Sequence, residues 1–189
     1  MQRAKIMINR NKKRPMLEQG TEGAKKAAVS LLAYREHTEK ELRTKLIDKG
    51  FSKEEAEAAV AFTIEKSYLS EKRYYLRYAE FCARTKHFGK RRITQEAKRK
   101  GFSSETIALY TSEALEGVDF NECCYEALLH IRHTTKEKQT AALLRRGFST
   151  GNMRYAFEKY QNEIGPLGQD DGMEDGDVPE DDCDFDDCE

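Results

Sequence analysis

The chain has 189 residues, of which 38% are hydrophobic and 35% charged. That balance suits thin cores and long polar helix faces, and it excludes a membrane span, since no apolar run approaches the ~20 residues a spanning helix needs. The net charge of −1 hides a split: residues 168–189 hold twelve of the 34 acids and no base, which leaves 22 acids against 33 bases in residues 1–167, a body of +11 and a tail of −12. A basic body of this kind seeks phosphate or an acidic protein surface. The N-terminus is basic but lacks the apolar stretch of a secretory signal, and the five cysteines are scattered. A reducing, cytoplasmic setting is expected.

Residues 1–23 carry Arg3, Lys5, Arg10, Lys12, Lys13 and Arg14 and read as a flexible basic arm. The chain then enters a pattern that recurs three times. The phrase basic residue, Gly, Phe, Ser occurs as Lys49-Gly50-Phe51-Ser52, Lys100-Gly101-Phe102-Ser103 and Arg146-Gly147-Phe148-Ser149, at spacings of 51 and 46 residues. Each copy is a helix stop followed by a helix start. Gly takes the left-handed position that ends one helix, Ser caps the next, and Phe packs into the corner. A period near fifty marks a repeat protein.

The surrounding residues match as well. In the first unit (24–66), Leu31 and Leu32 precede Arg35, and Leu42, Leu46 and Ile47 lead to Gly50. Thr38-Glu39-Lys40-Glu41 and Ser52-Lys53-Glu54-Glu55 are capping boxes. In the second unit (70–116), Ser70 caps a helix with Tyr75, Tyr78, Ala79 and Cys82 at helical spacing, followed by Lys86 and then Ala97 before Gly101. In the third (119–163), Leu128, Leu129 and Ile131 precede Arg132, and Leu143 precedes Gly147. No stretch alternates with period two, and no Pro interrupts residues 21–164. The expected fold is all-α: three tandem three-helix repeats in an elongated, curved array. Residues 165–189, rich in Asp and Gly, read as a disordered acidic tail.

The bases cluster around the second helix of each unit. Arg35, Arg43, Lys45 and Lys49 lie in the first. Lys86, Lys90, Arg91, Arg92, Lys98, Arg99 and Lys100 lie in the second. Arg132, Lys136, Lys138, Arg145 and Arg146 lie in the third. Repeats stacked in similar orientation align them into a basic stripe suited to phosphate or an acidic protein surface. The runs Lys90-Arg91-Arg92 and Lys98-Arg99-Lys100 stand about two helical turns apart and can share a face. For any one of these residues the plainer reading is a charge that keeps a helix face wet.

Other chemistry is weak. Cys183 and Cys188 have no second pair, His130 and His133 no acidic third ligand, so no metal or other cofactor is expected. Cys123 and Cys124 read as packing against the second unit. Tyr74, Tyr75 and Tyr78 can stack on bases, but their spacing favours the core for at least two of them. No catalytic constellation is readable, and no enzyme is expected.

One resemblance gathers these features. Residues 28–38, Ala-Val-Ser-Leu-Leu-Ala-Tyr-Arg-Glu-His-Thr, are followed by Glu41-Leu42-Arg43-Thr44-Lys45-Leu46 and Lys49-Gly50-Phe51. Then come Tyr68-Leu69-Ser70-Glu71-Lys72-Arg73-Tyr74, Gly89-Lys90-Arg91-Arg92-Ile93 and Lys100-Gly101-Phe102. From about Ala24 to Tyr160 the chain resembles the RecX regulatory proteins of bacteria, least closely in the third unit. The resemblance implies three three-helix repeats in a monomer that binds the RecA recombinase filament on single-stranded DNA. It also implies restraint of strand exchange, ATP hydrolysis and co-protease action in DNA repair and the SOS response. The basic arm and the acidic tail fall outside it. Such a tail can fold back on the stripe in a salt-sensitive way. Charge alone also suits two other readings: a protein that coats DNA unaided, and a helical adaptor for another acidic partner.

Overall fold

The computed structural model describes residues 20–131 and 135–165. Nine helices and no strand are found among them: α1 (Thr21–Tyr34), α2 (Glu39–Asp48), α3 (Lys53–Glu65), α4 (Glu71–Arg84), α5 (Lys90–Lys100), α6 (Ser104–Ala114), α7 (Phe120–Leu129), α8 (Lys136–Arg145) and α9 (Thr150–Glu163). They form three successive three-helix repeats. In each, the first and third helices pack most closely on each other.

The recurrent tetrads do what their residues demand. Gly50, Gly101 and Gly147 sit at φ of 99°, 101° and 84°, in the left-handed region that ends a helix. Ser52, Ser103 and Ser149 each accept a hydrogen bond from the backbone N–H three residues on, which satisfies one of the next helix's orphan donors. Phe51, Phe102 and Phe148 are buried. Phe102 lies 5.0 Å from the ring of Tyr74, 5.3 Å from Tyr75 and 5.4 Å from Tyr78. All three tyrosines are therefore core residues, and none is available to stack on a base.

Two details differ from the sequence expectation. Thr38 caps α2 through the Glu41 N–H, but the return half of that capping box is missing, because Arg35 and His37 engage the Glu41 carboxylate. Ser52 and Glu55 form the complete box. Leu46 and Leu128 are buried while their neighbours Ile47 and Leu129 are 43% and 42% exposed. Adjacent helical positions lie about 100° apart and cannot both face a thin core.

The second helices of the three repeats line up end to end. The Gly89 N–H, at the start of α5, donates to the Arg146 carbonyl at the end of α8 at 2.8 Å. Thr38, at the start of α2, has its hydroxyl 3.4 Å from the Lys100 carbonyl at the end of α5. The column thus runs α8, α5, α2, opposite to chain order. Each C-terminus meets the next N-terminus, so an orphan carbonyl accepts from an N–H at the α8–α5 joint and from a hydroxyl at the α5–α2 joint.

The two joints differ. One continuous core joins repeats 2 and 3, from Tyr74 and Tyr75 through Leu128 to Phe157. Repeat 1 has its own smaller core around Ala24, Leu42, Leu46 and Val60. It meets repeat 2 through polar groups: Glu36 pairs with both Arg73 and Arg77 at 3.0 Å.

The joint between repeats 2 and 3 has no room for a side chain. A methyl group on Gly89 would lie 2.3 Å from the Gly147 carbonyl, and one on Gly147 would lie 2.4 Å from the Arg92 nitrogen. Gly89 has φ −74°, comfortable for any residue, so its replacement tests packing alone. Gly50 has positive φ but nothing within 4 Å, so its replacement tests backbone strain alone. In urea denaturation, Gly50→Ala is expected to cost about 1 kcal/mol and Gly89→Ala about 2–3 kcal/mol. A neutral Gly89→Ala would show that the joint is looser than described.

Candidate functional site

Of the sixteen bases expected to align in the stripe, the column exposes Lys49 on α2's C-terminal side, Lys90, Arg91, Lys98 and Arg99 on α5, and Lys136, Lys138 and Arg145 on α8. Charge is unevenly spread. Helix α2 has three bases and three acids, α5 has six bases and one acid, and α8 has three bases and one acid. The positive surface therefore centres on α5. Arg91 and Lys98, seven residues apart, share one face of it, since a heptad drifts by only about 20°. Arg92 and Arg99 share another and hold Glu96 between them, at 3.3 and 2.6 Å.

Several expected stripe residues brace the molecule. Arg35 ends α1 and donates to the Glu41 carboxylate. Arg92 pairs with Glu96, lies 4.6 Å over the Phe88 ring and reaches the Arg145 carbonyl. Arg146 donates to the Lys86 carbonyl across the same joint. Lys86 itself lies over Phe81 and Lys90 over Phe120. Lys45 lies 3.5 Å from Glu41. Arg43 and Lys100 are half-buried. Arg132 lies outside the described residues, as do the basic arm, His133, Cys183, Cys188 and the acidic tail. Lys40 is an exposed base on α2 that the clustering argument passed over, because it stands alone between two glutamates.

Helix α5 starts with Lys90-Arg91-Arg92 and has no acid in its first turn. Bases at a helix N-terminus oppose the dipole. Here the C-terminal carbonyls of α8 lie against that end and supply the missing negative pole. The local rule is broken within α5 and compensated by its neighbour.

The Arg35-Glu36-His37-Thr38 segment is a joint. Arg35 and His37 converge on Glu41, Glu36 clamps two arginines of α4, and Thr38 bridges α2 and α5. His37 is 2% exposed, and its Nδ1 lies 3.2 Å from Glu41 Oε2. Burial alone would push the Glu41 carboxyl up; His37 and Arg35 outweigh it and hold the group down at about 2.

Other candidate chemistry resolves into packing. Cys124 is fully buried and Cys123 half-buried, and burial pushes both thiols up, Cys124 to about 12. His130 stacks on His87 with ring centroids 5.5 Å apart. Among the described residues no group of three or more His, Cys, Asp or Glu is gathered as for a metal ion, and no helix is long and apolar enough to cross a membrane.

Comparison with known proteins follows the same division of the chain. Residues 24–62 match the model of the RecX first three-helix domain, and residues 70–109 that of the second. Regulatory protein RecX of Vibrio campbellii is 32% identical over 151 residues, covering 75% of this chain and 94% of that protein. The chain belongs to the RecX family. RecX of Vibrio vulnificus is 34% identical over 143 residues, covering 70% of this chain and 90% of that one. The crystal structure of RecX from Lactobacillus salivarius superposes with a TM-score of 0.60 at 19% identity, covering 75% of this chain and 97% of that chain. The last likeness concerns the fold, and it extends over all but a small part of that RecX molecule.

Because the folded-state value of Glu41 lies below the unfolded value near 4.5, its contribution to stability is complete above pH 4.5 and is lost as pH falls through about 2. Glu41→Gln is expected to cost about 1–2 kcal/mol at pH 7. The gap to the wild type should close between pH 4.5 and 2, as read from urea midpoints. An equal gap at pH 7 and pH 2.5 would show that the carboxylate's charge is not what matters.

Proposed function

We propose that this chain binds the RecA recombinase filament on single-stranded DNA and restrains its ATP hydrolysis, strand exchange and co-protease action. It does so as a cytoplasmic monomer, by occupancy and without catalysis. Membership in the RecX family supports the choice of partner. The observation that carries the mode of binding is the end-to-end column of second helices, with Arg91, Lys98 and Arg145 exposed along α5 and α8. An extended basic column suits a partner that is itself extended and carries phosphate at regular intervals.

The second reading is a protein that coats single-stranded DNA and hinders the recombinase only by competition. The same exposed bases favour it, and one experiment separates the two. ATP hydrolysis by preassembled RecA filaments is titrated with the protein in about 150 mM salt, and binding to the same DNA without RecA is followed in parallel. Loss of hydrolysis is expected well below the concentration that saturates bare DNA. Loss only at saturation would hand the assignment to competition.

The double variant Arg91→Ala, Lys98→Ala leaves the core untouched. It is expected to weaken inhibition several-fold with an unchanged urea midpoint. If both side chains meet phosphate, the slope of log affinity against log salt falls by about 1.4 on single-stranded DNA. Full inhibition by this variant would move the contact surface off α5.

A further inference from the structure

One end of the series α8, α5, α2 is the start of α8, and the helix that leads to the acidic segment passes close to it: Lys136, the first residue of α8, lies 5.4 Å over the ring of Phe157 on α9. Six further residues carry α9 to Glu163. The chain therefore leaves the described fold at Gly165, about two helical turns beyond the residue that meets the start of α8. The 24 residues that follow hold twelve acids and no base.

Reach and charge both fit. Twenty-four residues extend up to roughly 80 Å, whereas α8 and α5 together span roughly 35 Å. Walking from Gly165, the segment meets Lys136 first, then Arg145, then Arg91 and Lys98, against one acid in each of the two helices. The contact needs little intrinsic strength. A tether of this length holds the acids near the column at an effective concentration of the order of millimolar, so a millimolar affinity fills the surface about half the time.

We propose that residues 166–189 bind back, within the same molecule, on the exposed basic face of α8 and α5 and compete there with polyanionic partners. The acidic segment is then a built-in competitor that sets the threshold for binding. It favours long, highly charged partners that engage the whole column over short ones that meet only part of it. The proposal deepens the filament reading by naming what occupies the surface when no partner is present.

The test compares the full chain with a full-length variant in which the twelve acids of residues 168–189 are changed to Asn or Gln. Amide NMR spectra of both are recorded without RecA or DNA, at about 50 and 500 mM salt. Neutralisation is expected to shift amides of α5 and α8 at low salt, independently of protein concentration, with the difference fading at high salt. In a second readout, a fluorescent oligo(dT) is expected to bind the neutral-tail variant roughly tenfold more tightly at low salt and within about twofold at high salt.

Unmoved α5 and α8 amides would overturn the proposal. So would shifts that grow with concentration, which place the segment on a second copy, or shifts confined to α1–α3. Charge reversal in the full chain, Arg91→Glu with Lys98→Glu, should abolish most of the spectral difference made by the acids. Persistence of the full difference would also overturn it. Since the spectra contain no recombinase, failure of the filament reading would leave this result standing, and the converse.

Discussion

The closest constraint in the molecule is the approach of two glycines, Gly89 and Gly147, at the joint of α5 and α8. Backbone meets backbone there at a distance that leaves no space for a methyl group. Only this lets the Gly89 N–H reach the Arg146 carbonyl, which sets the end of α8 against the start of α5. Much else depends on it. Arg92 reaches across to the Arg145 carbonyl at the end of α8, Arg146 reaches the Lys86 carbonyl ahead of α5, and the basic helices of two repeats meet end to end.

That joint also explains how α5 tolerates its own sequence. Three bases in the first turn of a helix oppose its dipole, and no side chain caps the end. The penalty is offset from outside, by the carbonyls that α8 presents. The basic residues therefore serve two ends. Arg92 and Arg146 hold the joint, while Arg91, Lys98 and Arg145 face solvent. Side chains of one type, adjacent in sequence, divide between structure and surface according to which side of the helix they occupy.

The division decides how much was legible in the sequence. The repeat, the nine helices, the three left-handed glycines and the three serine caps followed from residue chemistry at fixed offsets, because each is a local rule. The stripe was legible as a cluster of bases, but its members were not separable. Arg35 and Arg92 look like Arg91 in the sequence. What distinguishes them is a partner six residues on in one case, Glu41, and a neighbouring helix in the other. Gly89 stands in the Gly-Lys-Arg-Arg-Ile motif, but its role is hidden in the sequence, since it has ordinary φ and acts through a contact 58 residues away. Non-local contacts of this kind leave no periodic trace. Lys40 was missed because its neighbours are acidic, although exposure, not neighbourhood, governs what a partner meets.

The two joints also divide the molecule mechanically. Repeats 2 and 3 share one apolar core and a backbone contact, neither of which weakens much with salt. Repeat 1 is held to them by Glu36 between Arg73 and Arg77, whose arginine side chains are about half exposed, and by the Thr38 bridge. Exposed ion pairs of this sort contribute little each and are screened by salt. The joint at repeat 1 is therefore the salt-sensitive one, and the pair formed by repeats 2 and 3 is the part of the molecule whose packing does not depend on exposed charge.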